Sequence, residues 1–259
     1  MTAAGSLASR PRPLLIAHRG AARHAPENTL AAFRLAIAAG ADAIETDLWQ
    51  TRDGAWVCHH DQTLERTTDG AGAIPELTLA EVRAVQACRS YCAEIPADTF
   101  PGERVPTFEE LLALTPADVG LVLELKDPRL AQPDVAADLV ARLANRIAAG
   151  TVMLLSFAPE RLHAARAAEP GIWIGLICEH DPDPRFDGDG IGTTPEAMAE
   201  NPRYVAEAHA RGLWVCPLDP APEPRLAWYL AQGVDGLLTH DPAGTRAAIA
   251  TIRAAGHLG

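Results

Sequence analysis

Short runs of β-branched or leucine-rich residues alternate with longer, alanine-rich stretches along most of this 259-residue chain. The short runs have the length of strands, and the stretches between them have the apolar spacing of helices. Strands that alternate with helices form βα units, which place parallel strands in one sheet. The pattern predicts eight such strands and about eight helices without an interdomain linker. It therefore favours an α/β fold of the closed (β/α)8, TIM-type barrel class over an open doubly wound sheet.

The element boundaries follow from apolar periodicity and from turn and capping residues. The predicted barrel strands are 14–17, 43–48, 120–125, 151–156, 172–178, a weak strand near Ile191, 213–218 and 236–239. The predicted helices are 27–39, 78–85, 108–114, 133–148, 159–168, 202–211, 222–231 and one that starts at Pro242.

Residues 49–60 predict a small hairpin turned by Asp53-Gly54. The pattern is less regular over residues 61–106, which we interpret as a small insertion after the second barrel strand. Because barrels of about 250 residues commonly fold as one domain, we expect residues 1–259 to form a single domain.

Composition limits the partners of the protein. The chain has 34 acidic and 22 basic residues, with a net charge of −12. This balance disfavours nucleic acid, whose binding normally requires a basic patch, but it is compatible with a small phosphate ester held by local charges and a metal. The five cysteines are odd in number and scattered, and we expect Cys88 and Cys92 to be small buried apolar residues rather than zinc ligands.

No run approaches the roughly 18 apolar residues of a membrane helix. Residues 1–13 have no apolar core of signal-peptide length. We therefore expect a soluble, cytoplasmic protein without stable membrane association.

Three carboxylates are predicted at the carboxyl ends of two neighbouring strands, where barrel active sites lie. Glu45 and Asp47 are two residues apart on one strand, so their side chains share a face, and Glu124 lies near the end of the next barrel strand. Each carboxylate taken alone could pair with a nearby Arg or Lys at the rim. Together, in a partly desolvated mouth, they would repel one another unless a cation were present, and oxygen ligands suit Mg²⁺ or Ca²⁺.

Two histidines accompany the carboxylates. His18 ends the first strand, and His60 lies at the return of the hairpin. Imidazoles titrate near neutrality and could serve as general base and general acid. Because side chains alternate along an extended segment, His59 should point away from the side that His60 faces. We expect His163, His209 and His257 to be structural.

Arg19 and Lys126 add positive charge to this acidic mouth. An Arg fork matches phosphate geometry and Lys adds a point charge, so both could hold an anionic substrate. The alternative role is charge balance with the acids.

In combination, these stretches resemble the glycerophosphodiester phosphodiesterase family over nearly the whole chain. The resemblance rests on HRG at 18–20, PENTLAAF at 26–33, GADAIETDL at 40–48, HDQTLERTTDGAG at 60–72, LELK at 123–126, SF at 156–157, AHARGLWV at 208–215 and GVDGLLTHDP at 233–242.

The resemblance implies a (β/α)8 barrel with an insertion after strand two and a specific distribution of roles. His18 and His60 match the catalytic acid–base pair, and Arg19 and Lys126 match the phosphate contacts. The ligands of a divalent ion, calcium or magnesium, are matched by Glu45, Asp47 and Glu124. The implied reaction is hydrolysis of a small-molecule phosphodiester, a glycerol 3-phosphate ester, to the phosphomonoester and an alcohol.

The chain departs from the family pattern after the seventh strand. Members commonly show a Trp-Thr-Val-Asn-like run where this chain has residues 218–221, Leu-Asp-Pro-Ala. If Asp219 faces the substrate, a polar or cationic alcohol is expected; the alternative is that Asp219 caps the helix near Pro222. His240 replaces an acidic residue that family members often have.

Two other functions remain open from the sequence. One is a related phosphodiesterase that acts on lysophospholipids or another phosphodiester, which an apolar extension of the mouth would favour. The other is a non-catalytic phosphate-ester binder, which would be expected to lack one of the histidines or carboxylates. All five are present in this chain.

Overall fold

The structure, a computed structural model, describes residues 6–90, 95–96 and 99–256. Its strands are β1 (Leu14–His18), β2 (Ala43–Gln50), β3 (Trp56–Cys58), β4 (Gly120–Leu125), β5 (Val152–Ser156), β6 (Trp173–Ile177), β7 (Gly190–Gly192), β8 (Trp214–Val215) and β9 (Gly236–Thr239). Its α-helices are α1 (Leu30–Ala38), α2 (Leu79–Ala84), α3 (Phe108–Leu114), α4 (Pro133–Arg142), α5 (Ala144–Ala149), α6 (Pro159–Ala168), α7 (Pro195–Glu200), α8 (Tyr204–Ala210), α9 (Leu226–Gln232) and α10 (Pro242–Ala254).

Eight parallel strands form one sheet in the order β8-β7-β6-β5-β4-β2-β1-β9. The residue before β9 bridges the two ends of this sheet. The backbone N–H of Asp235 donates to Val215 O at 2.9 Å, and the N–H of Val215 donates to the Asp235 carboxylate at 2.8 Å. The sheet is therefore a nearly closed barrel, and the predicted fold class is confirmed.

Alternate residues of each strand face the inside or the outside of the barrel. Ile16, Val122, Met153 and Leu238 pack with Trp214 in one interior cluster. Outward-facing residues of the strands pack against the surrounding helices in two larger clusters. Polar residues that lie two positions after these interior residues along the same strands therefore line the upper mouth of the barrel.

The hairpin and the irregular segment after it agree with the sequence analysis. β3 pairs antiparallel with β2. Between β3 and α3, the described residues contain a 3-10 helix (Ile74–Glu76) and α2, whose apolar residues form a separate small core over β2 and β3. In this region Cys88 is buried, whereas Cys92 lies outside the described residues, as His257 does at the other end of the chain.

Several boundaries differ from the predicted ones for local reasons. Helix α1 starts at Leu30 rather than near residue 27, because Asn28 adopts a left-handed φ of 55° and Thr29 caps the helix. The predicted helix 133–148 is two helices, α4 and α5, with a break at Leu143. β8 is shorter than predicted, since Pro217 has no N–H to donate to a ladder.

Helix α7 lies in a segment for which the sequence pattern predicts none. Thr194 caps it by accepting a hydrogen bond from the N–H of Ala197, and Pro195 occupies its first turn. Among the described residues, no helix combines the length and apolar character needed to cross a lipid bilayer.

Candidate active site

Strand register brings four of the predicted residues to one end of the barrel. His18 on β1 is the neighbour of Glu45 on β2, and Asp47 on β2 is the neighbour of Glu124 on β4. These positions lie at or near the carboxyl ends of their strands. Their side chains are buried at the barrel mouth.

The three carboxylates converge as the sequence predicts. One oxygen each from Glu45, Asp47 and Glu124 lie within 4.8 Å of one another. Burial, reinforced by the charge of Asp47, raises the pKa of Glu45 well above its usual value and that of Glu124 to about 7. Without a further cation, these acids resist simultaneous ionisation.

The surroundings of the Asp47 carboxylate indicate whether the cluster suits a metal ion. Its Oδ1 is buried and has no hydrogen-bond partner among the described residues; Lys126 Nζ lies 3.5 Å away. Burial opposes ionisation of Asp47, but the charges of Arg19 and Lys126 outweigh it and lower its pKa. An ionised buried carboxylate with an unpartnered oxygen, beside two more carboxylates, fits a hard divalent cation.

His18 is held by a second histidine. Its Nδ1 lies 2.9 Å from Nε2 of His240, and its Nε2 faces Glu45 Oε2 at 3.9 Å. Burial, aided by the charge of Arg19, lowers the pKa of His18 well below its usual value and that of His240 to about 4. Both rings are therefore neutral at neutral pH, and one of the two nitrogens in contact carries the shared proton.

His60 is held instead by a carboxylate. Its Nδ1 lies 2.6 Å from Asp61 Oδ1, and its Nε2 lies 3.2 Å from Lys126 Nζ. Burial lowers the pKa of His60, although the charge of Asp47 opposes this. His59 points into the insertion, where its nitrogens contact Asp61 O at 2.8 Å and Thr67 Oγ1 at 2.9 Å. The predicted alternation of His59 and His60 is therefore observed.

The two predicted cations flank the carboxylates. Lys126 Nζ lies 2.7 Å from Glu124 Oε1, and Arg19 Nε lies 3.5 Å from Asp47 Oδ2. The backbone N–H of Arg19 also donates to Glu45 at 2.9 Å. Arg19 has a left-handed φ of 56°, a conformation that costs a non-glycine residue energy and that active sites often retain.

Several residues for which the sequence predicts no role in the site support it. Glu27 accepts from Arg19 at 2.8 Å and from Arg66 at 2.9 Å, and Arg66 also donates to Asp61 at 2.5 Å. Asn28 donates to Asp47 at 2.9 Å. Glu27 and Asn28 stand in the PENT motif, and Asp61 and Arg66 in the motif that begins at His60, so the motifs themselves were the available signal.

The structure engages Asp219 in local bonds. Its carboxylate accepts from Arg225 Nε at 2.7 Å, from Tyr229 OH at 2.7 Å and from Ala221 N at 3.3 Å. These contacts engage the carboxylate locally and favour a structural role over a substrate contact, but Asp219 does not cap the helix, because neither the turn at Pro222 nor α9 has a side-chain cap. Trp214 is interior and packs edge-on against Trp173, which gives it a structural role.

A family model described as the glycerophosphoryl diester phosphodiesterase family matches residues 18–244. This match spans all seven predicted site residues. The chain belongs to this family. Like its relatives, it is a phosphodiesterase, a phosphoric diester hydrolase.

Individual relatives resemble the chain over most of its length. It is 30% identical over 239 residues to a glycerophosphodiester phosphodiesterase of Caldanaerobacter subterraneus, covering 89% of this chain and 95% of that protein. A Bacillus subtilis glycerophosphodiester phosphodiesterase is 29% identical over 255 residues, covering 92% and 87%. A solved Oleispira antarctica phosphodiesterase in complex with the product sn-glycerol 3-phosphate has a TM-score of 0.80 and 28% identity, covering 92% and 97%.

Proposed function

We propose that this phosphodiesterase hydrolyses glycerophosphodiesters to glycerol 3-phosphate and an alcohol, with a divalent cation and an acid–base pair of histidines. One observation carries the proposal: three buried carboxylates meet at the barrel mouth between two histidines, with Arg19 and Lys126 beside them. The sn-glycerol 3-phosphate product of the Oleispira relative supports the same chemistry.

Glu45, Asp47 and Glu124 would hold the cation, and the proposed ion is Mg²⁺ or Ca²⁺. When bound there, a divalent cation would stabilise negative charge on the phosphate oxygens as a Lewis acid. Arg19 and Lys126 add donors for those oxygens. The depressed pKa of Asp47 keeps at least one ligand ionised before the cation binds.

The partners of the two imidazoles suggest which is the base. The Asp61 carboxylate accepts the Nδ1 proton of His60, which leaves a lone pair on Nε2 and stabilises the protonated ring. We assign His60 to remove the proton from the attacking hydroxyl or water. His18 has only a neutral imidazole at Nδ1, so it is the weaker base. We assign a His18 Nε2–H, with Nδ1 accepting from His240, to hydrogen-bond the leaving oxygen and give it a proton as the P–O bond breaks. The proton that His60 takes from the attacking group then restores His18, so that both rings are neutral again.

Of the alternatives, a non-catalytic binder is disfavoured because both histidines and all three carboxylates lie together with orienting partners.

Metal dependence is the direct test. The purified protein should hydrolyse a glycerophosphodiester such as glycerophosphocholine, lose this activity with a chelator and recover it with Mg²⁺ or Ca²⁺. An Asp47→Asn variant should lose activity and calorimetric binding of the ion together, because it removes the ionised ligand. Asp138→Asn, which changes a surface acid that accepts from Arg142 and from Trp56 Nε1 and can keep both acceptors, is the matched control. Full turnover by a demonstrably metal-free preparation would contradict the proposal.

A further inference from the structure

The barrel mouth has two chemically different halves. The carboxylates and cations described above lie on, or directly after, β1, β2 and β4. On the side of β5 to β8 a cavity of about 40 Å³ opens instead, lined by apolar side chains, one thiol and two glycines, and its lining extends to Ile16, Val122 and Leu238 on the neighbouring strands. The proposed mechanism makes no use of this cavity.

The cavity borders the active site directly. Its floor includes Ile16, two residues before His18 on β1, and Val122, two residues before Glu124 on β4. Residues two apart on a strand share a face and stand about 7 Å apart along it. The cavity therefore lies one layer of side chains below the reacting groups.

Two glycines of β7 form part of the cavity wall and leave no room for side chains of their own. Gly190 and Gly192, two residues apart on the strand, both line the cavity. A methyl group on Gly190 would meet Met153 Cε at 3.0 Å, and one on Gly192 would meet Cys216 O at 2.7 Å. Leu218, at the rim, stands where the family pattern led us to expect a tryptophan.

An apolar path connects the cavity to the phosphate-binding cations. Leu155, Cys216 and Leu218 line the cavity and are only half-buried, so it is accessible from the mouth. Phe157 follows Leu155 by two residues, is 41% exposed, and has its ring 5.7 Å from Lys126 Nζ. A phosphodiester held by Lys126 thus has an apolar surface on this side.

The lining decides which part of a substrate can enter. Glycerol hydroxyl groups buried here would lose their hydrogen bonds to water without replacement, which is unfavourable. A choline or ethanolamine cation would be buried without a counterion, because Asp219 is already bonded to Arg225 and Tyr229. The glycerol part therefore belongs on the charged half, and the cavity suits an apolar group.

The size of the cavity limits that group. A space of roughly 10–15 Å³ holds one water molecule, so 40 Å³ holds about three carbon atoms. We propose that the cavity binds a short alkyl group, of about two or three carbons, on the alcohol part of the phosphodiester. This inference rests on the proposed function. It replaces the sequence-based expectation of a polar or cationic alcohol, which depended on a free Asp219.

The experiment compares the sn-glycerol 3-phosphate esters of methanol, ethanol, propanol, hexanol and choline, together with lysophosphatidylcholine, at saturating Mg²⁺ or Ca²⁺. Each methylene that enters the cavity should raise kcat/KM about fourfold, the value expected for burial of one CH₂. The increase should run from the methyl to the propyl ester and then stop. The choline ester and lysophosphatidylcholine should be hydrolysed less efficiently than the propyl ester.

Two variants and a control locate the effect. Leu218→Asn makes the rim polar, and Leu155→Phe fills the space while keeping it apolar. Each should lower kcat/KM for the propyl ester about tenfold and change the methyl ester little. Leu176→Asn, a half-buried leucine of β6 that does not line the cavity, should keep the full alkyl preference. Thermal unfolding establishes that each variant is folded.

The outcomes separate the two proposals. If no ester is hydrolysed with either ion, the proposed function fails. If the esters are hydrolysed but kcat/KM is flat from methyl to propyl, or the choline ester or lysophosphatidylcholine is preferred, only the alkyl site is overturned. A preference that survives in both Leu218→Asn and Leu155→Phe also overturns it, because the alkyl group then binds elsewhere.

Discussion

The two histidines of the site differ in the group that holds Nδ1. His60 has the carboxylate of Asp61, whereas His18 has the neutral ring of His240. A carboxylate stabilises a protonated imidazole and a neutral ring does not. This difference is the basis for assigning His60 as the base and His18 as the acid.

Replacement of each histidine should reveal these roles. With an alkyl ester as substrate, His18→Ala and His60→Ala should each lower kcat by about 100-fold or more. With a p-nitrophenyl ester, whose leaving group departs without protonation, the loss in His18→Ala should shrink and that in His60→Ala should persist. His59→Ala is the neighbouring control and should be much milder. If the p-nitrophenyl ester instead reduced the loss in His60→Ala and not in His18→Ala, the two roles would be exchanged.

His240 should act as a positioning residue for His18. His240→Phe keeps a buried ring but removes the bond to His18 Nδ1, so kcat should fall about tenfold, the equivalent of one hydrogen bond, with little change in KM. His240→Gln can place an amide near the Nε2 position and should recover much of the loss. Imidazole ¹⁵N shifts of His18 should change in the Phe variant. Unchanged kcat in His240→Phe would show that the contact only fills space.

At the scale of elements, the insertion after β3 completes the site rather than merely covering it. Arg66, from the insertion, donates both to Asp61, the partner of His60, and to Glu27, the partner of Arg19. A single guanidinium therefore connects His60, the proposed base, to Arg19, the proposed phosphate contact. Removing it would leave the buried Glu27 with one cation fewer.

We expect Arg66→Met to lower kcat/KM about tenfold, because Asp61 and Glu27 lose their shared donor and His60 and Arg19 lose their fixed orientation. Arg89→Met is the matched control within the insertion, since its guanidinium donates to the backbone carbonyls of Glu65 and Thr68. Equal losses in the two variants would indicate a general effect on the insertion rather than on the site.

For the whole molecule, the acidic cluster links stability to pH. In the metal-free protein, burial raises the pKa of Glu124 from 4.5 to about 7. The folded state therefore holds a proton that the unfolded state releases, and the resulting stability is present below about pH 4.5 and lost as pH rises through about 7. The raised pKa of Glu45 acts in the same direction, and the lowered pKa of Asp47 acts in the opposite one, only below its unfolded value of 3.8.

His18, His60 and His240, whose pKa values are lowered by burial, act in the opposite direction over this range. Relative to Glu124→Gln, which retains these histidines, the melting temperature of the metal-free protein should therefore fall between about pH 5 and about pH 7.5. Added Mg²⁺ or Ca²⁺ should raise it more at the higher pH, because the ion and the protons compete for the same oxygens. Differential scanning calorimetry of the wild type and of Glu124→Gln measures this. A pH slope in the metal-free wild type that Glu124→Gln retains in full would assign the effect to other groups.

Sequence alone determined most of the elements and those relations between candidate site residues that are local. Period-two spacing placed Glu45 and Asp47 on one face of β2 and separated His60 from His59, because a strand's geometry sets these directions. The βα rhythm determined the barrel class, which in turn placed Glu124 beside Asp47 at the carboxyl ends of the strands.

Only the tertiary structure decided the features that depend on barrel closure and on the packing of the barrel interior. His18 and His240 are 222 residues apart in the chain and meet only because β1 and β9 are neighbours. Arg66 reaches Glu27 only because the insertion folds back over the mouth. Whether the Asp219 carboxylate is available to a substrate depended on its bonds to Arg225 and Tyr229. The apolar cavity depends on which inward-facing side chains of the other strands lie near the glycines of β7. Local spacing carries no information on such contacts, because they arise from the three-dimensional arrangement of residues that are distant in sequence.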